Sequence, residues 1–278
     1  DGSSNNYTFL GYDSSGAKPF IISNQATTPI VFKVSAGNQR FVIDNNSRIS
    51  LSNNDSGTSN TVFGKSIGTI DAGTNYNTFI GDQIAGSGTL SDASDNTALG
   101  YYVLNTLTEG DNNVGIGSTT MQFNTTGGNN VGVGMSNLRY NQTGSDNAAV
   151  GVYSQRGVSG NSHSYNTSVG ASSLYSITTG SGNSVLGYKA GYAITTGGSN
   201  VVIGSEAQRD ENVSDTVIIG ERAGLYNSGN DNTFVGHEAG RNSGSGTAQV
   251  YLGESAGYSA TASGDIAIDP GHVDGYID

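Results

Sequence analysis

Along most of the chain, apolar and polar positions recur as one short string, Asn-Thr-x-hydrophobic-Gly. It stands at Asn60–Gly64, Asn77–Gly81 and Asn96–Gly100, and its glycine returns at Gly117, Gly134, Gly151, Gly170, Gly187, Gly204, Gly220, Gly236 and Gly253. A thirteenth copy, Asp265–Asp269, ends in Asp. The steps are 16, 17 or 19 residues. A disordered chain has no reason to keep such a period; a repeat architecture does. Helical hairpin repeats need about 34 residues or more. The shorter period leaves room for two or three short strands and two turns, which is one coil of a β-solenoid. The turns are written as Thr125-Thr126-Gly127, Thr178-Thr179-Gly180, Thr195-Thr196-Gly197 and Asn227-Ser228-Gly229, residues that tolerate positive φ.

Columns of the repeat set the packing expectation. The residue before the glycine is always large and apolar: Phe63, Ile80, Leu99, Ile116, Val133, Val150, Val169, Leu186, Ile203, Ile219, Val235, Leu252 and Ile268. It is expected to point into the coil. Strand alternation then turns the preceding position outward. None of its thirteen residues is charged. A strand apolar on both faces is buried on both, so this position is expected to form an inter-subunit column: Val62, Phe79, Ala98, Gly115, Gly132, Ala149, Val185, Val202, Ile218, Phe234 and Tyr251. Four residues before the glycine stands Asn in ten copies: Asn60, Asn77, Asn96, Asn113, Asn130, Asn147, Asn166, Asn183, Asn200 and Asn232. Stacked amides predict a hydrogen-bonded ladder; the alternative is a row of ligand-binding amides. The motif glycine is expected at a corner with positive φ or close backbone approach.

The expected fold is all-β: a parallel β-solenoid or β-roll of about thirteen ~17-residue coils, assembled as a parallel homotrimer, roughly 60 Å long at ~4.8 Å per coil. Residues 59–269 form the solenoid. Residues 1–58 lack the period and read as a small β module capping or joining it, with a hairpin around Gly37-Asn38. Residues 270–278 read as a tail. The chain opens at Asp1 rather than Met, which fits a processed chain or part of a larger one.

Composition narrows the function. The 278 residues include 43 Gly, 3 Pro and no Cys, with 11 basic against 23 acidic residues and a net charge of −12. Without Cys there is no disulfide, thiolate nucleophile or Cys-ligated zinc. The shortage of cations argues against nucleic acid as a partner. No apolar run approaches the ~18 residues of a spanning helix, so no membrane partner is expected. The charge suits a soluble extracellular rod.

Candidate chemistry is sparse. His163, His237 and His272 lie apart, without metal-ligand spacing, and read as surface or turn residues. A glycosidase would need two carboxyls about 5–9 Å apart in a groove. Two positions after the glycine, however, Lys189, Glu206, Arg222 and Glu238 alternate in sign on successive coils. That pattern predicts a structural charge ladder. Glu221, His237 and Glu254 run beside it. Asp residues near the turns lack the nonapeptide calcium-roll pattern. No catalytic, cofactor-binding or metal residue is expected. Tyr101, Tyr102, Tyr153, Tyr188 and Tyr192 follow motif glycines; they can stack on sugars or pack on neighbouring coils. A Thr column after the ladder Asn breaks too often for a regular ice-binding array.

The stretch Thr28–Phe32 with Gly37–Ile49 resembles a segment of many bacteriophage tail fibres, where it often precedes distal repeats or a self-cleaving chaperone. The Asn96–Gly100 repeat occurs in the same fibres. It is also similar to the head repeats of trimeric autotransporter adhesins, left-handed parallel β-rolls in a three-fold bundle, although those repeats are shorter. The resemblance implies a non-enzymatic homotrimeric structural protein of a virion tail fibre, outside the cell, presenting or forming a rod for host-cell attachment. Its partners would be itself, a cell-surface glycan or protein receptor, and neighbouring fibre or baseplate proteins. Release of a chaperone after Asp278 would be in keeping. The alternatives are the head of a bacterial surface adhesin and a glycan-cleaving tailspike.

Overall fold

The computed structural model describes residues 59–269 except Gly88, together with the backbone of three earlier strands. These are β1 (Ile30–Val34), β2 (Asn38–Ile43) and β3 (Ile49–Ser50), paired antiparallel in the order β1-β2-β3. Val34 faces Asn38 across the predicted hairpin, and the register shifts between Phe32 and Lys33. The remainder of the 1–58 module and the 270–278 tail lie outside the described residues.

The repeat domain is a parallel β-solenoid. Thirteen strands stack in one sheet, one per motif copy. In chain order they are β4 (Thr61–Lys65), β6 (Thr78–Asp82), β8 (Thr97–Tyr101), β9 (Val114–Ser118), β10 (Val131–Val133), β11 (Ala148–Val150), β12 (Thr167–Val169), β13 (Ser184–Leu186), β14 (Val201–Ile203), β15 (Val217–Ile219), β16 (Thr233–Val235), β17 (Val250–Leu252) and β18 (Ile266–Ile268). Between them β5 (Thr69–Ile70) pairs in parallel with β7 (Thr89–Leu90). Each motif position pairs with the same position of the next coil, as Val202 with Ile218 and Ile218 with Phe234. Register follows from the unbroken columns, because a one-residue slip would reverse every side chain.

The inside and outside of the strand are the reverse of the sequence expectation. Val62, Phe79, Ala98, Ala149, Val185, Val202, Ile218, Phe234 and Tyr251 are buried in the coil's own core, and Gly115 and Gly132 are buried with them. They therefore cannot form an inter-subunit column. Outward point the large residues before the glycine, with Leu99 44% and Leu186 49% exposed. The physical reason is parity. The ladder Asn is buried, and the position two residues later shares its face.

The inner column tolerates residues from Gly to Tyr because the opposite wall compensates. Where the strand contributes Gly115 or Gly132, Val103, Thr120 and Met121 fill the space. Where it contributes Phe234 or Tyr251, the wall offers Gly240 and Gly257. A Cβ on either would come within 2.5 Å of the facing ring. Phe234 and Tyr251 stack with centroids 4.9 Å apart. Ala190, Ala207, Ala223, Ala239 and Ala256 complete that wall. Volume thus moves from one side of the coil to the other, as a close-packed interior requires.

The motif glycines satisfy both halves of the expectation. Gly187 sits at φ +144°, and a Cβ there would collide with the Gly204 carbonyl of the next coil. The turn glycines Gly127, Gly180, Gly197 and Gly229 serve only close approach: each lies under the next coil's backbone without positive φ.

Candidate functional surfaces

The Asn ladder is structural. Every member from Asn60 to Asn232 is buried. Along the series an Asn Oδ1 accepts the next ladder residue's backbone N–H, as Asn60 does from Asn77 at 2.8 Å and Asn183 from Asn200 at 3.2 Å. Their Nδ2 groups donate across the coil to turn carbonyls: Asn96 to Gly110, Asn113 to Gly127, Asn130 to Gly144, Asn147 to His163, Asn166 to Gly180 and Asn232 to Gly246. The ladder thus ties strand to turn as well as coil to coil. Thr216 substitutes by donating Oγ1–H to Asn200 Oδ1 at 2.9 Å. These amides are committed to the protein, which leaves no row of ligand-binding amides.

The charge ladder forms at its centre. Arg222 Nε lies 3.2 Å from Glu206 Oε2, and Arg209 reaches Glu206 at 3.1 Å. Burial works to raise the Glu206 pKa, but the two guanidiniums outweigh it and hold the carboxyl below its ordinary value. Beyond that pair the alternation does not extend: Glu238 pairs with Arg241 of its own coil at 3.6 Å, and Lys189 lies 5.2 Å over the Tyr188 ring. His237 and Glu254 approach to 3.6 Å in the neighbouring column.

His163 is neither a surface nor a turn residue. It is 3% exposed, with Nδ1 3.4 Å from Asn147 Oδ1. Burial lowers its pKa to about 4, so the imidazole is neutral at pH 7. Around it the core turns polar: Ser154, Gln155, Ser168 and Ser173 are buried where other coils place aliphatic residues. Ser154 bonds to both Ser168 and Ser173. This seam separates two apolar clusters, one ending at Ala149 and the other beginning at Leu174.

Two features cover the surface. The first is the outer face of the thirteen-stranded sheet. It carries the large column from Phe63 to Ile268 and, two residues earlier in each strand, Thr, Val, Ala, Ser or Ile; neither column holds a charge. The face runs for about 58 Å at strand spacing. The second is an aromatic and cationic stripe beyond the strand's following turn. Phe123 and Tyr140 stack at 5.2 Å, and Tyr175 and Tyr192 at 4.9 Å. Arg139 lies over Phe123 and Tyr140, and Arg156 over Tyr140 and Tyr175. Tyr153 meets Tyr175 edge-on, and Tyr101 meets Tyr102 likewise. Tyr101 and Tyr188 are each half exposed. These tyrosines stand out singly in the sequence, but the stripe does not. Its signal was the shared offset of Arg139, Arg156, Tyr175 and Tyr192, each five residues after a motif glycine.

At the coil corner Asp92, Glu109 and Asp111 line an open recess with Gly73, Ser91 and Ser94. Among the described residues no group of three or more His, Asp or Glu has a metal-holding arrangement, and no helix is long and apolar enough to cross a membrane.

The columns and their registers define a parallel β-solenoid whose outer sheet face carries two uncharged columns. Comparison with protein-family models, curated proteins and solved structures gives no match.

Proposed function

We propose that this chain is a non-enzymatic structural segment of a viral (phage) tail fibre, a homotrimeric extracellular rod that presents or forms a receptor-binding surface. The observation that carries the reading is the pair of uncharged columns on the outer face of the sheet. A lone solenoid in water has no use for thirteen consecutive apolar residues there, nine of them exposed. Parallel sheets are ordinarily covered on both faces, and a continuous apolar patch of this length marks an association surface. Another copy of the same face is its natural cover, because the columns of two parallel copies match residue for residue. With inside and outside exchanged, the Leu99 and Leu186 column is the subunit interface. The number three and the viral setting rest on the tail-fibre and adhesin-head resemblances.

Light scattering of the purified chain tests the assembly. A mass three times 28.4 kDa is expected. Leu99→Lys with Leu186→Lys places two cations in each copy of the interface and is expected to yield folded monomer. A wild-type monomer with intact β-structure overturns the reading.

A further inference from the structure

We propose that the stripe of Arg139, Arg156 and Lys189 binds a carboxylated polysaccharide. This deepens the adhesive-rod reading and rests on it, but not on the number of subunits, since the stripe lies within one chain. The first observation is charge segregation. The chain carries −12 overall, yet residues 112–205 hold only these three cations and a single acid, Asp146. Asp146 sits at the opposite turn, beside its ladder Asn, where it accepts a hydrogen bond from Asn129.

The second observation is how the cations are held. Arg209, Arg222 and Arg241 are all in ion pairs. Arg139, Arg156 and Lys189 are in none among the described residues. They rest on aromatic rings instead: Arg156 lies 4.9 Å from the Tyr140 centroid and 5.3 Å from that of Tyr175, and Lys189 lies 5.2 Å from Tyr188 and 6.0 Å from Tyr192. Arg139 adds one hydrogen bond, Nε to Gln122 at 2.9 Å. The rings fix the guanidiniums without using up their outward N–H groups. A preorganised fork is the group that takes a carboxylate in two parallel hydrogen bonds, and preorganisation reduces the entropy cost of binding.

The third is spacing. Arg139 and Arg156 are one coil apart in one column, while Lys189, two coils further, stands three positions earlier in its coil and joins the stripe over the Tyr192 ring; together they span about 15 Å along the rod axis. An extended acidic glycan lies along such a row and meets hydroxyls of Tyr140, Tyr175 and Tyr188 for its neutral oxygens. Three cations on a rod that is otherwise acidic match a sparsely charged polymer. The dense charge of nucleic acid would meet repulsion from the remaining carboxylates.

The test uses the whole chain and fluorescent polygalacturonate at low salt, with dextran and oligothymidylate alongside. Polygalacturonate is expected to bind and dextran not to. Arg139→Gln, Arg156→Gln and Lys189→Gln together should weaken binding at least about tenfold, while Arg209→Gln leaves it unchanged. The single variant Arg156→Lys keeps charge and ring contact but loses the fork; a severalfold weakening is expected even if the triple variant does not fold. Absence of binding, a folded triple variant that binds like wild type, or equal binding of oligothymidylate overturns the proposal. A trimer that binds no acidic glycan removes only this inference. A monomer that binds it removes only the trimeric assembly.

Discussion

Replacing Asn183 by Ala is the most direct perturbation of the ladder. Asn183 Nδ2 donates to Asn166 Oδ1 at 2.9 Å and to the Gly197 carbonyl at 3.0 Å. Its Oδ1 accepts from the Asn200 backbone N–H at 3.2 Å and from Asn200 Nδ2 at 2.7 Å. Two of these groups keep another bond when the side chain is removed. Asn200 Nδ2 still reaches the Val213 carbonyl at 2.8 Å, and Asn166 Oδ1 still accepts the residue 183 N–H at 3.1 Å. The Asn200 N–H and the Gly197 carbonyl do not. At about 1–3 kcal/mol for each buried group left unpaired, Asn183→Ala should cost about 2–6 kcal/mol. Because repeat arrays unfold in parts, urea titration should be joined by hydrogen exchange at the Asn200 amide, where protection falls first. Asn183→Asp sharpens the test. It keeps the acceptor but turns a second oxygen towards Asn166 Oδ1 and the Gly197 carbonyl, which favours the protonated acid. Its folded pKa then lies above the unfolded value, so relative to wild type it loses stability as pH rises. An Asn183→Ala variant within about 0.5 kcal/mol of wild type would refute the reasoning, since ordinary surface changes cost that much.

Further expectations concern glycine, core volume and pH. Gly187→Ala should cost at least about 3 kcal/mol in urea titration, from strain and collision with the next coil's backbone. Gly191→Ala should cost about 1 kcal/mol, because its close neighbours are the Ile194, Leu174 and Val185 side chains, and Leu174 itself holds φ +48° in the same column. Phe234→Gly combined with Gly240→Leu copies the Gly132 and Leu138 arrangement, so a double-mutant cycle should show the pair losing less than the sum of the single variants. His163 has a folded pKa of about 4 against 6.5 for the free group, so unfolding takes up a proton in that window. Its contribution is complete above pH 6.5 and falls by about 3 kcal/mol as pH drops to 4. His163→Gln should flatten that limb of the stability-against-pH curve.

The sequence disclosed the period, the strand in each coil and the Asn ladder, because stacking forces equivalent positions to repeat chemistry. It misled on inside and outside because both columns of the strand are apolar. Size suggested that Phe63 and Leu99 were core and that Gly115 and Ala149 were not. The deciding clue was Asn77 and its counterparts: a ladder amide must be sheltered from water, and its face fixes that of Phe79. Compensation between Gly115 and Met121, or Phe234 and Gly240, becomes visible only once the coil closes. His163 was misread because it lies in a 19-residue coil, where the period gives no column for it. The cation–aromatic stripe was within reach, since Arg139 and Arg156 share an offset, but it lay outside the motif that drew attention.

The in-register stacking also determines how the rod answers a pull. The hydrogen bonds between coils, such as Thr167 N–H to the Asn183 carbonyl and Ser184 N–H to the Asn200 carbonyl, each at 2.8 Å, run along the axis. A load on the two ends therefore opens them one coil at a time, like a zip, and does not shear them all together. Each ~17-residue coil that comes free lengthens the tether by about 55 Å, its extended span less its ~4.8 Å rise. The chain would respond to sudden load as a spool that pays out in equal steps, giving a sawtooth of evenly spaced peaks under a force probe.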